Sequence, residues 1–418
     1  MSPRREKARG EVTTRGNAST QSDAAAQVHG ARGNAVTPDP TTQKNAPTPI
    51  ATPTLAELLA DKRLIVMVGE GGVGKTSTSA AVALGRARSG RHVAVLTVDP
   101  APRLGDALGI SAIDAKPRRV ALGSDALGTL VAMRLDSKGT FDRMVERYAP
   151  SPAAAAALLA HPVYQAVSGQ LGGTEHYMAF QRLHELVEEH TSDVLVIDTP
   201  PAVNAVELLA APARLTGLLD TGALSILAEP ARIVARAGGA IARASLSLLL
   251  AAVERVTGDS LQKGVAEFTT LFGDLVGGLE DRAREIDALL RAPETAFVLV
   301  VRPRSADVAR ALAFRDSLAR MGIPLAAMIV NRVTPPPPSD RMKPRSERLA
   351  DLPPSLRGAV TRMEKDMDAL RNLENRALDA LRSRLQGEHS PPLFTLYARD
   401  VDIASVADIA ALADDLGV

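Results

Sequence analysis

The 418-residue chain has no cysteine. That excludes disulfides, cysteine-ligated zinc, iron–sulfur clusters and any capture of soft metal or metalloid by thiolates. It also lacks a charge of one sign: 49 Lys and Arg against 48 Asp and Glu leave a formal charge of +1, which gives no electrostatic ground for nucleic acid or an anionic membrane as main partner. No run is long and uncharged enough for a transmembrane helix, and the first residues, "MSPRREKARGEVTTRG", lack the apolar centre of a signal peptide. The expectation is a cytoplasmic protein without membrane insertion. At 45% hydrophobic and 23% charged residues, the remainder is ordinary globular composition.

Residues 1–54 hold almost no large apolar side chains and are expected to be a disordered tail; Arg4, Arg5, Lys7 and Arg9 in it read as solvated charge. A second polar, Pro-rich break, 334–355, reads as a mobile loop. Between and beyond these breaks lie seven short aliphatic runs: 63–69, 92–99, 129–136, 193–201, 296–303, 326–333 and 392–400. They are continuously apolar rather than alternating, as strands buried on both faces must be. The expected fold is therefore α/β, a mostly parallel sheet flanked by helices. Two strand-free stretches, about 139–190 and 205–292, read as insertions forming a helical subdomain within one folded domain spanning 55–418. The second is rich in Leu and Ala, and its sequence leaves open whether its apolar faces close into a core or line a groove.

"GEGGVGKT", Gly69 to Thr76, fits the phosphate-loop pattern G-x-x-x-x-G-K-[ST], and it follows a strand and opens a helix as that motif requires. Backbone N–H groups of Gly71, Gly72, Val73, Gly74 and Ser77 would turn toward phosphates. Lys75 would reach the β- and γ-phosphates, and the Thr76 hydroxyl would meet Mg²⁺. Asp198 closes "VLVID", where a carboxylate serves the metal shell; Asp99 closes "VAVLTVD", where it would orient an attacking water. The late strand ends "IVNRVTP" with no following Asp at the spacing that reads guanine, so ATP is favoured, with Asn331 and Arg332 beside the base.

The segments "GEGGVGKTS", "VDPAPRLGDALG", "VIDTPPAVNAVELLAAPARL" and "IVNRVTP" resemble the P-loop, two switches and adenine-contact element of the ArsA family, which includes arsenite-pump ATPases and ATPases that target tail-anchored membrane proteins. The wider class is the deviant Walker A, MinD/ParA type of P-loop protein, of SIMIBI architecture. The resemblance runs from about Arg63 to the C-terminus and is nearest to atypical bacterial paralogues. It implies a dimer closing around two ATP molecules, with Asp99 polarising water, Thr76 and Asp198 serving Mg²⁺, and Asn331 on adenine. It also implies switch motion passed to a helical subdomain that holds a protein client. Two departures bear on this. Without cysteine there is neither thiolate-bound arsenite nor the interchain zinc. In place of a lysine that reaches the partner's phosphates, this chain has Glu70. A homodimer would then lack that cation at both sites, and a heterodimer with a lysine-bearing paralogue would have one equipped site, unless Arg103 supplies the charge. Three readings follow: a homodimeric or heterodimeric ATPase switch, a weakly active or non-hydrolysing regulatory subunit, and a DNA- or membrane-positioning ATPase. The acidic C-terminal helix "SVADIAALADDLGV" disfavours the third and is expected to pack on the sheet. His176, His184 and His190 are too far apart on a helix to share a metal and read as solvated.

Overall fold

In each aliphatic run, successive side chains leave on opposite faces, and the computed structural model shows what receives them. It describes residues 53–99, 101–123, 126–168, 174–200, 276–337, 345–350, 352–387, 390–400 and 402–418. The expected tail up to residue 52, residues 205–275 of the second helical insertion, and 338–344 of the Pro-rich break lie outside these.

Strands β1 (Leu64–Gly69), β2 (His92–Thr97), β3 (Arg118–Arg119), β4 (Thr129–Arg134), β5 (Val194–Asp198), β6 (Thr295–Val301), β7 (Leu325–Val333) and β8 (Leu393–Tyr397) form one sheet in the order β3-β4-β2-β5-β1-β6-β7-β8. Every pairing is parallel except β3 with β4 at the edge. All seven aliphatic runs are strands; the two-residue β3 carries no pattern that would reveal it. The strand β1 shows the alternation directly. Leu64, Val66 and Val68 belong to one core, Ile65 and Met67 to the other.

The second of these cores is covered by α1 (Leu55–Leu59), α2 (Lys75–Arg88), α3 (Arg103–Ala107) and α12 (Val406–Leu416). Thr54 caps α1 in a reciprocal capping box with Glu57, which fixes where that helix starts. The acidic helix α12 lies across α2, with Ile409, Leu412 and Leu416 buried, so its apolar stripe closes onto the helix that covers the sheet.

The opposite face carries α4 (Ser137–Tyr148), α5 (Pro152–Ala160), α6 (Pro162–Ser168), α7 (Thr174–Glu189), α8 (Val276–Arg291), α9 (Ser305–Arg320) and part of α11 (Pro354–Arg384). Within the expected loop at 334–355 sits a short helix, α10 (Arg345–Ala350), and α11 begins at Pro354. No helix among the described residues is long and apolar enough to cross a membrane.

α4, α7 and α8 are joined by a charged cluster rather than by apolar contact alone. The Arg282 side chain is only 2% exposed; its Nε donates to Tyr148 Oη (2.6 Å), and its Nη1 lies 3.2 Å from Glu188 and 2.9 Å from Glu285. His184 contacts the same guanidinium. Burial, and then Arg282, hold the His184 imidazole below the ordinary histidine pKa against the opposing pull of Glu188 and Glu285. The expectation of a solvated histidine is therefore corrected: His184 is a largely buried member of this junction. His190 is exposed, and the His176 side chain lies outside the description. No group of potential metal ligands appears among the described residues.

Candidate functional site

The C-terminal ends of β1, β2, β5 and β7 converge beside the point where the chain reverses its direction of growth across the sheet, with β1 connecting toward β2 on one side and β6 added on the other. That is where α/β sheets open a crevice. Two contiguous cavities occupy it. One, of about 500 Å³, is lined by the loop after β1, with Lys75, Thr76, Asp99, Arg103, Thr199 and Arg332. The other, of about 510 Å³, is lined by Asn331, Arg332, Tyr397, Arg399, Asp402 and Ile403. Gly74, Ser77, Arg332 and Ile403 border both, so the two are continuous.

The loop is held from both sides by contacts that glycine alone permits. A Cβ at Gly69 would stand 2.3 Å from the Val300 carbonyl oxygen of β6. At Gly74, whose φ is +95°, a Cβ would stand 2.2 Å from the Asn331 Nδ2. That amide nitrogen donates to the Val73 carbonyl (2.8 Å), while Asn331 Oδ1 accepts the N–H of Arg332 (2.9 Å). Asn331 is thus 8% exposed and clamps the loop to β7. Asn331 lines the second cavity, and its amide is engaged by the Val73 carbonyl of the loop and the Arg332 N–H of its own strand. Arg332 carries a φ of +60°, an uncommon left-handed conformation for a non-glycine residue. Its exposed side chain borders both cavities.

Lys75 is 7% exposed, and its Nζ donates to the carbonyls of Gly69 and Glu70, 2.8 Å each. Burial lowers its pKa, while Asp198, Glu70 and Asp99 oppose the shift. The ammonium is thereby kept within the curl of the loop, on acceptors that a phosphate would replace. Asp198 is buried and collects three hydroxyls: Thr76 at 2.8 Å, Thr97 at 3.1 Å and Ser79 at 3.4 Å. Burial raises its pKa to about 6 despite those hydrogen bonds and Lys75. Thr97 and Ser79 escaped the sequence reading. The signal was present, since Ser79 lies one helical turn beyond Thr76 and Thr97 lies two residues before Asp99. Thr199, next after Asp198, donates to the Met67 carbonyl (2.7 Å), fastening the end of β5 to β1.

Asp99 is half-buried and occupied: Oδ1 accepts the Ala101 N–H and Oδ2 pairs with Arg103 at 2.9 Å. Arg103, 68% exposed, is committed to that pair. Glu70 points its carboxylate to Arg310 of α9, with Oε1 3.4 Å from Nε. Arg310, 240 residues away, is a contact that no local pattern announces.

Mg²⁺ is a hard cation that takes oxygen ligands and retains several waters, and the Thr76 hydroxyl beside the Asp198 carboxylate is a donor set of that kind. The glycine loop, the buried ammonium and the helix N-terminus behind it fit a triphosphate.

The chain is similar to known ATPases. The family model for anion-transporting ATPases of the ArsA type matches residues 62–351. ATPase GET3 of Malassezia globosa is 32% identical over 165 residues, 39% of this chain and 47% of that protein. ATPase get3 of Aspergillus terreus is 28% identical over 228 residues, 53% of this chain and 64% of that protein. The chain thus matches about half of the length of the first relative and less than two thirds of the second.

Proposed function

We propose that this chain, which belongs to the ArsA ATPase family, is an Mg²⁺-dependent ATP-binding and ATP-hydrolysing switch that couples nucleotide state to a helical partner-binding region. The observation that carries the reading is the preassembled triad of loop, hydroxyl and carboxylate. Lys75 is held on the loop's own carbonyls, and Thr76 and Asp198 are already in contact at 2.8 Å.

In this reading Gly71, Gly72, Val73, Gly74, Lys75, Thr76 and Ser77 bind the phosphates. Lys75 leaves the Gly69 and Glu70 carbonyls to stabilise charge on the transferred phosphoryl group. Bound Mg²⁺ supplies Lewis-acid charge neutralisation, with Thr76 and Asp198 as its protein oxygens. Asp99 holds and polarises the attacking water once it is freed from Arg103. Asn331 keeps the loop against β7 beside the adenine, and Arg332 lies where base and phosphate halves meet. The deviant Walker A assignment, a cytoplasmic location, a dimeric state and a client on the helical subdomain belong to the same proposal. The domain layout does too: a tail at 1–54, an ATPase domain at 55–418, and a subdomain built from about 139–190 and 205–292. So does the exclusion of nucleic acid, cysteine-held zinc and thiolate-bound arsenite as partners.

A second reading is favoured by the engagement of both Asp99 oxygens: a regulatory subunit that binds ATP but turns it over only beside an active paralogue. Calorimetry of Mg·ATP on the full chain and on Lys75→Ala tests nucleotide binding, and ATPase assays with and without the paralogue separate the readings. Loss of most affinity in Lys75→Ala supports the site, whereas equal affinity in both proteins refutes it. Turnover by the chain alone, abolished in Asp99→Asn, supports the switch over the regulatory subunit.

A further inference from the structure

A carboxylate in a phosphate loop subtracts from the positive potential that holds a triphosphate. Glu70 is such a group, yet it has a cation in the same chain. Its Oε1 lies 3.4 Å from Arg310 Nε, and it is 23% exposed. Arg310 Nη2 also holds Asp307 Oδ1, and Asp307, 5% exposed, receives Arg302 Nε at 3.2 Å. The charges alternate along Glu70, Arg310, Asp307 and Arg302, so the string is neutral as a whole. The Glu70 backbone carbonyl meanwhile accepts from Lys75. Residue 70 therefore touches the loop lysine through its main chain and α9 through its side chain.

We propose that Arg310 is the charge-compensating and positioning residue of the phosphate loop: it neutralises Glu70 within the chain and fixes the loop's first turn to α9. The inference rests on the nucleotide reading above. On this basis Glu70 is not a repulsive group aimed at a neighbouring protomer's phosphates. Its field at the nucleotide is cancelled by a partner from its own chain.

The sign of the effect separates compensation from simple bracing. Removing Arg310 leaves one bare negative charge near the triphosphate. Removing the carboxylate in that background cures the defect.

Mg·ATP affinity of the full chain is measured by calorimetry for wild type, Arg310→Ala, Arg310→Lys, Glu70→Gln and the Glu70→Gln/Arg310→Ala double variant, at low and high salt, with thermal melts to verify folding. The expected Kd rises about three- to tenfold in Arg310→Ala, the scale of one unscreened charge about a nanometre from a multivalent anion. It falls by up to about twofold in Glu70→Gln, and Arg310→Lys and the double variant return to within about twofold of wild type. The Arg310→Ala deficit shrinks as salt rises. A double variant as weak as Arg310→Ala, or an Arg310→Ala protein indistinguishable from wild type, overturns the inference alone. Wild type that binds no Mg·ATP, or Lys75→Ala binding as well as wild type, overturns the nucleotide reading and the inference with it.

Discussion

Of the places where the described residues bury opposite charges, the phosphate loop and the junction of α4, α7 and α8 do so in different ways. At the phosphate loop, Lys75 and Asp198 are held by exchangeable neutral groups: main-chain carbonyls for the ammonium, hydroxyls for the carboxylate. At the junction of α4, α7 and α8, Arg282 is matched side chain to side chain by Glu188, Glu285 and Tyr148. The first arrangement keeps charge available to something that arrives; the second spends it on holding helices together. Burial of a charge thus marks a binding site only where its present partners are weaker than those a ligand brings.

The sharpest way to break this comparison is to disable both clusters and read binding and stability in each. Lys75→Ala should lose most Mg·ATP affinity with little loss of thermal stability, because it removes a desolvated ammonium whose hydrogen bonds go to main-chain carbonyls rather than to a carboxylate. Glu188→Ala with Glu285→Ala should leave ATP affinity intact and lower unfolding free energy by about 3 kcal/mol, the scale of stranding a buried cation. Calorimetry and denaturant melts on the same preparations decide it; a matching pattern in the two clusters would dissolve the distinction.

Asp99→Asn should keep ATP binding and lower single-turnover hydrolysis by about a hundredfold, the lower range for loss of a positioned base. Asp198→Asn should spare ATP binding in chelator while removing about tenfold of the affinity that Mg²⁺ adds, since one charged ligand of the shell is gone. Titrations with and without Mg²⁺ read that difference. The smallest effect belongs to the helical junction. The folded-state pKa of His184 is depressed, so its contribution to stability is present above the unfolded value near 6.5 and is lost as pH falls below it toward the folded value. Melting temperature should therefore drop between pH 7.5 and 5.5 by a few degrees more in wild type than in His184→Gln.

What the sequence reveals and what it conceals divide along the same physical line. The strands are legible because a parallel sheet covered on both faces demands unbroken aliphatic runs, and the phosphate loop is legible because its glycines answer to backbone geometry within eight residues of chain. Asp198 and Asp99 are legible as acids at strand ends. Arg310 as the partner of Glu70 is not, because the contact depends on how α9 packs against β6 and leaves no local period. The helix α11 is concealed for another reason. Pro353 and Pro354 fall in the Pro-rich break that reads as loop up to 355, yet Pro at the first helical position is compatible with helix, and the following residues are good helix formers. The role of Asn331 is half legible: its place at the end of a strand bordering the crevice is visible in "IVNRVTP", its clamp on Val73 is not.

The register of β1 has a consequence for how the protein is made. This strand is among the first elements of the chain, but Leu64 pairs with Leu195 on one side and with Thr295 on the other. On a ribosome, β1 and the loop after it emerge long before either neighbour exists, and the clamp from Asn331 is later still. The cradle around the glycine loop is thus encoded early and assembled late. During synthesis at about 5–20 residues per second, an apolar strand and an unanchored glycine loop wait many seconds for partners. Pairings this distant in sequence are also the slow ones in refolding.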